Sequence, residues 1–124
     1  MSHNVIWEQH GVYREFYHFV TGEEILASNF ELQAHPNFEI IDYVINDFTK
    51  VTDHSITIPD TNTFAATDEI AAYGKVVLKI AIVVTKKDLF DLADAYQRMM
   101  KQMKFDCKIF KTIEQARQWV DQTQ

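Results

Sequence analysis

Val76-Val-Leu-Lys-Ile-Ala-Ile-Val-Val-Thr85-Lys-Lys-Asp88 is the stretch whose reading decides the fold. Residues 76–84 form a β-branched apolar run interrupted by Lys79, and apolar neighbours side by side predict a strand covered on both faces. Thr85 then stands at a helix start. Its hydroxyl is placed to accept from an orphan N–H of the first turn, and Asp88, three residues on, to answer back. The same arrangement occurs twice more, as Thr21-Gly-Glu-Glu24 after residues 12–20 and Thr112-Ile-Glu-Gln115 after residues 107–110. A strand, a cap and a helix repeated three times predict an α/β sandwich built from βα units.

Working outward, residues 5–8 and 12–20 read as an antiparallel hairpin turning at Gln9-His10-Gly11. The second of these strands is aromatic in both phases, with Phe16 and His18 on one side and Tyr13, Tyr17 and Phe19 on the other. A helix over residues 23–34 carries Ile25, Leu26, Phe30 and Ala34 and ends at His35-Pro36, because the residue before Pro is pushed out of helical geometry. Residues 40–45 read as a central strand, followed by an irregular, hydroxyl-rich stretch over 49–59. Asp60 or Thr61 is expected to cap a second helix that runs to about Tyr73 and is closed by Gly74. Residues 88–103 space Leu89, Leu92, Ala93, Tyr96, Met99, Met100 and Met103 at three and four, a buried stripe. A short strand over 106–110 and a helix bearing Ile113, Ala116, Trp119 and Val120 complete the order ββαβαβαβα. The expectation is a mixed five-stranded sheet, with an N-terminal antiparallel hairpin and parallel strands beyond it, and four helices in one domain over residues 1–124.

The 124 residues leave room for one core, and 47% apolar with 24% charged residues is globular composition. The single Cys107 has no partner for a disulfide and reads as a small buried hydrophobe. Residues 76–84 fall far short of the ~20 apolar residues that span a bilayer, and Met-Ser-His-Asn has neither part of a signal peptide. A cytoplasmic protein is expected. The net charge of −6 is uneven: residues 1–70 carry 12 acids and 2 bases, residues 71–124 carry 6 and 10. Overall acidity argues against nucleic-acid binding, and the opposed halves point to self-association.

Motifs for chemistry are few. The 5 histidines (His3, His10, His18, His35 and His54) fall at no ligand spacing and there is no paired Cys, so no metal site is expected. With 3 glycines no phosphate loop can be built, and no Gly-x-Ser-x-Gly elbow supports Ser55 as a nucleophile. No cofactor is expected either, and the chain reads as a non-enzyme. Ligands gather beyond the carboxyl ends of parallel strands. The polar group at such an end includes Asp47, Asp53, His54 and Ser55, suited to an anion or partner site and equally to closing turns and capping the next helix. Tyr17, Phe48 and Phe64 are candidates to line an apolar pocket beside the second helix, whose small residues anchor it weakly; plain core filling explains them too.

Several phrases resemble the bacterial SpoIIAA-like family: Val5-Ile-Trp-Glu-Gln-His-Gly-Val-Tyr-Arg, Phe19-Val-Thr-Gly-Glu-Glu, Tyr43-Val-Ile-Asn-Asp-Phe and Ile109-Phe-Lys-Thr-Ile-Glu-Gln-Ala-Arg-Gln-Trp. The resemblance covers about residues 5–121. It implies a STAS-like sandwich, similar in fold to lipid-carrying CRAL-TRIO domains, and non-enzymatic roles. STAS-like antagonists carry a phosphorylatable Ser before the second helix, about where Ser55 stands in Thr52-Asp-His-Ser-Ile. The Gly of that loop is missing here, and Pro59-Asp60 delays the helix. The expectation is a regulatory or binding domain that engages a protein partner or small ligand at the third strand's end and the second helix. The alternative is a carrier of an apolar or lipid-like ligand with transient membrane association, Lys residues steering an anionic head group.

Overall fold

Five strands form one sheet in sequence order, β1-β2-β3-β4-β5, in the computed structural model, which describes residues 2–73, 75, 78–101 and 105–121. β1 (His3–Trp7) runs antiparallel to β2 (Gly11–Val20), while β3 (Tyr43–His54), β4 (Lys79–Val83) and β5 (Asp106–Phe110) add in parallel. Helices α1 (Gly22–Ala34), α2 (Ile58–Ala71) and α3 (Lys87–Met100) make the three parallel crossovers, and α4 (Ile113–Asp121) closes the described chain. Alternation along the strands divides the core in two. Val12, Phe16, Val44, Ile80 and Ile82 meet α1, α2 and α3 on one face. Tyr43, Ile45, Ala81 and Val83 meet Ala116, Trp119 and Val120 of α4 on the other. The α/β sandwich and its mixed sheet are as the sequence predicts.

The helix starts were only partly legible. Thr21 accepts from Glu24 N–H at 3.0 Å, but the Glu24 carboxylate turns instead to Ser2 N–H and His3 Nδ1. Thr112 accepts from Gln115 N–H at 3.2 Å. Thr85 caps nothing: α3 starts one residue later, behind Lys86, which makes no side-chain cap bond, and Asp88 accepts from its neighbour Leu89 and from His54. At α2 the cap is neither Asp60 nor Thr61 but Thr57, whose hydroxyl accepts from Asp60 N–H while the Asp60 carboxylate accepts from Thr57 N–H. Pro59 sits inside the first turn, where its missing N–H costs nothing.

The third strand also differs from the sequence reading. Residues 36–40 form a 3₁₀ turn, with His35 Nδ1 accepting from Asn37 N–H, so the strand starts at Tyr43 and continues through the hydroxyl-rich stretch to His54. Pairing with β2 along almost its whole length satisfies a backbone that local propensity leaves undecided, and Val51 is buried in the middle. On β2, bulges between Glu15 and Tyr17 and between His18 and Phe19 break the alternation, and His18 adopts φ 59°. Phe19 is therefore half exposed although the strand is aromatic in both phases. Gly74, Val76, Val77 and Met103 lie outside the described residues.

Candidate functional site

Three helices laid on one face leave an incompletely filled space where α2 meets α3 over β3 and β4. The resulting cavity has a volume of about 70 Å³. Its walls are apolar, formed by Phe48, Phe64, Ile82, Val84 and Leu89 among others, and its polar floor is Arg14, Asn29, Asn46, Asp68 and Tyr96. α2 explains the gap. It buries only Thr61, Phe64, Ala65 and the following Ala72 toward the sheet, and short side chains reach less far into the core than Leu or Ile.

Arg14 is the unusual member. It lies on β2 between Val12 and Phe16, in the core phase of the strand, and retains 4% of its exposure. Its Nε donates to Asn46 Oδ1 at 2.9 Å, and its Nη1 to Ser28 Oγ at 3.1 Å and Asn29 Oδ1 at 2.7 Å. All three acceptors are neutral. Among the described residues no carboxylate forms an ion pair with it. None of these bonds uses Nη2, and Arg14 lines both this cavity and a smaller one of about 30 Å³ beside Leu32, Phe38 and Ile80. Burial pulls the guanidinium pKa down to about 10, with Asp68 opposing the fall, and Arg14 remains a cation at neutral pH. Its guanidinium lies 5.5 Å from the Phe16 ring centroid, and Phe16 stacks on Phe48 at 4.8 Å.

Asp68 of α2 is the nearest counter-charge and is engaged elsewhere. Its two oxygens accept from Gln33 Nε2 at 2.8 Å and Tyr96 Oη at 2.6 Å. Burial raises its pKa, and the bonds from Tyr96 and Gln33 with the charge of Arg14 only partly offset that. The Tyr96 hydroxyl is pushed well up by burial and by Asp68.

The structure separates the candidates that the sequence grouped. Phe48 and Phe64 line the cavity. Asp47 does not join them: it is fully buried on the α4 face, accepting from Tyr13 Oη at 2.6 Å and Thr49 N–H at 2.9 Å. Tyr17 packs edge-on against His18 at the outer end of β2. Asp53 is exposed and accepts from His54 N–H. His54 Nδ1 accepts from Ile56 N–H at 3.1 Å, so its Nε2 donates to Asp88, 2.8 Å away. Ser55 is exposed, its N–H given to Val20. The residues that sequence reasoning missed are Arg14 and Asp68; Asn46 belongs to the polar group at the end of the third strand but faces the cavity. The one available signal was an arginine at a core-phase position of an otherwise buried strand.

Among the described residues no group of three potential ligands is placed to hold a metal ion, and no helix is long and apolar enough to cross a membrane.

A mixed sheet with an antiparallel β1 at one edge, three helices on one face and one on the other has a SpoIIAA-like α/β fold. A solved structure of an uncharacterised protein of the DUF3478 family from Shewanella loihica PV-4, with a SpoIIAA-like fold, is similar to this chain at a TM-score of 0.55 and 15% identity, over 94% of this chain and 90% of that one. No family model matches the chain. No curated protein matches it either.

Proposed function

We propose that the chain is a non-catalytic binding domain that takes a small molecule into the cavity beneath α2. The observation that carries this reading is the buried Arg14, which lines the cavity and forms an ion pair with no carboxylate among the described residues. A charge is costly to bury without a partner, and a site that spends stability in this way fits a role in recognition. The enclosed space is small, about 70 Å³, which argues for a compact ligand and against a lipid chain. Ser55 fits a phosphorylation switch poorly, because the start of α2 is already occupied by Thr57 and the Asp60 carboxylate, which repels a phosphate. The outward side of α2 exposes Ile70 and Tyr73, and a protein partner reading the state of the cavity would meet them there.

The test is native mass spectrometry of the purified chain, followed by denaturing extraction and an NMR screen with small acids, amides and alcohols. A bound mass, or shifts confined to residues around the cavity, is expected. Ala93→Leu, which grows a side chain into the space from α3, should abolish both. A clean mass with no shifts from any compound would refute the reading.

A further inference from the structure

Resting on that reading, we infer that the ligand is a small monocarboxylate with a short apolar chain, its carboxylate bound by Arg14. The cavity's surplus is a hydrogen-bond donor on a cation. Nε and Nη1 of Arg14 are held by Asn46, Ser28 and Asn29, which fixes the plane of the guanidinium where Arg14 lines the cavity and leaves the two N–H groups of Nη2 outside those bonds. A single nitrogen of an immobilised cation suits one oxygen of a carboxylate, because charge-assisted bonds are the strong ones. The acceptors, by contrast, are partly committed: the oxygens of Asn46 and Asn29 to Arg14, and one site on each oxygen of Asp68 to Gln33 and Tyr96. An ammonium group would have to share Asp68 with both donors, so a zwitterion fits less well. Opposite the floor, Phe48, Phe64, Ile82, Val84 and Leu89 form a wall that accepts only an apolar tail. The enclosed space is small, about 70 Å³, so the tail must be short.

Asp68 decides the sign of the test. A ligand carboxylate brings a second negative charge beside it, and burial has already made its proton harder to lose. Binding should therefore draw a proton onto Asp68, and affinity should rise as pH falls. Asp68→Asn, which removes the like charge, should bind the acid more tightly and lose that pH dependence. For a zwitterionic ligand the same substitution removes the ammonium's only counter-charge and must weaken binding.

The experiment titrates propionate, propionamide and alanine into the ¹⁵N-labelled full chain, following the Arg14 side-chain Nε–H and the Asn46 amide. The expected result is binding of propionate about tenfold or more tighter than propionamide, loss of that preference in Arg14→Met, and tighter propionate binding in Asp68→Asn. If Arg14→Met does not fold, the Asp68→Asn comparison alone decides. Equal binding of propionate and propionamide, or alanine binding that Asp68→Asn weakens, would overturn the carboxylate assignment and leave a ligand-binding cavity intact. No binding of any compound, with ordered water bridging Arg14 and Asp68 in a crystal structure, would overturn both.

Discussion

Gly11→Ala isolates one steric contact and tests the packing of the α4 face. Gly11 opens β2 and pairs with Tyr43 of β3, and a Cβ built on it would lie 2.2 Å from Tyr43 Cε1 and 2.3 Å from Cδ1 and Cζ. Those atoms belong to a rigid ring. The Tyr43 hydroxyl is bonded to Glu8, which in turn takes Arg117 Nη1 at 2.6 Å and Nη2 at 2.7 Å. The ring must swing away, and overpacking of this kind costs about 1–3 kcal/mol. Losing the bond to the Glu8 carboxylate adds about 1.5 kcal/mol. The total is about 3 kcal/mol, or roughly a 10 °C fall in Tm for a chain of this size. Urea denaturation followed by circular dichroism measures it. The control is the same substitution in a Tyr43→Val background, where the ring is gone. There Gly11→Ala should be neutral or gain about 0.5 kcal/mol from the stiffer unfolded chain. An equal cost in both backgrounds, or less than about 0.5 kcal/mol in the native one, would refute the argument.

Thr57→Ala removes the reciprocal cap of α2 and should cost about 1 kcal/mol, with amide exchange in the first turn of α2 rising before that of α3; unchanged exchange would disprove the cap's role. Glu8 is held below its ordinary 4.5 chiefly by Arg117. Its folded form gives up a proton more readily than its unfolded form, so this stabilisation is present above about pH 4.5 and lost as pH falls through the lowered value. Glu8→Gln should flatten the stability curve on that acid limb, and a slope equal to the native one would contradict the pairing. Asp68 works in the opposite direction: its raised pKa means that stability falls as pH rises from the ordinary carboxylate range through the folded value. Asp68→Asn should therefore gain stability at neutral pH, and a loss there would count against it. The Cys107 thiol is pushed up to about 12 by burial, so iodoacetamide should label it far more slowly in native protein than in urea; equal rates would show that the thiol is open to solvent.

Sequence carried most of the architecture because the strands announce themselves by composition. Residues 79–83 are wholly buried and apolar but for Lys79, whose Nζ reaches back to the Trp119 carbonyl at 2.9 Å. The strand through Thr49, Thr52, Asp53 and His54 could not be read, since its stability comes from the ladder with β2 and not from its own residues. The start of α2 was misplaced for a related reason. Thr57 and Asp60 make a capping box, but Ile58-Pro59 between them looks like the end of a loop until the chain is folded. Gly11 read as a turn residue, whereas its role is to leave room for the Tyr43 ring. Of the aromatic candidates, Phe48 and Phe64 come together at one cavity because both fall in the core phase of their elements, and Tyr17 lies apart from them. The polar candidates scattered because adjacent strand residues point to opposite faces: Asp47 went under α4 while Asn46, one residue earlier, went to the cavity.

That division between faces is also the argument for where function resides. Under α4 the polar groups answer one another. Arg117 forks onto Glu8, Tyr43 shares the same carboxylate, Tyr13 donates to Asp47, and Lys79 is spent on the Trp119 carbonyl and the indole ring 4.9 Å away. Such a network is satisfied and rigid, and it fixes α4 on the sheet. Under α2 the pattern is the reverse. A cation is buried on neutral acceptors, and a carboxylate lines the same space without pairing to it. Above them lies a helix that buries few large side chains. Stability alone would favour closing that gap, with Arg14 replaced by an apolar residue or brought onto Asp68. A molecule with one anionic end and one apolar end resolves both deficits at once, satisfying the guanidinium and filling the space under α2. On the proposed reading, the cost borne at Arg14 would be the source of such a ligand's affinity.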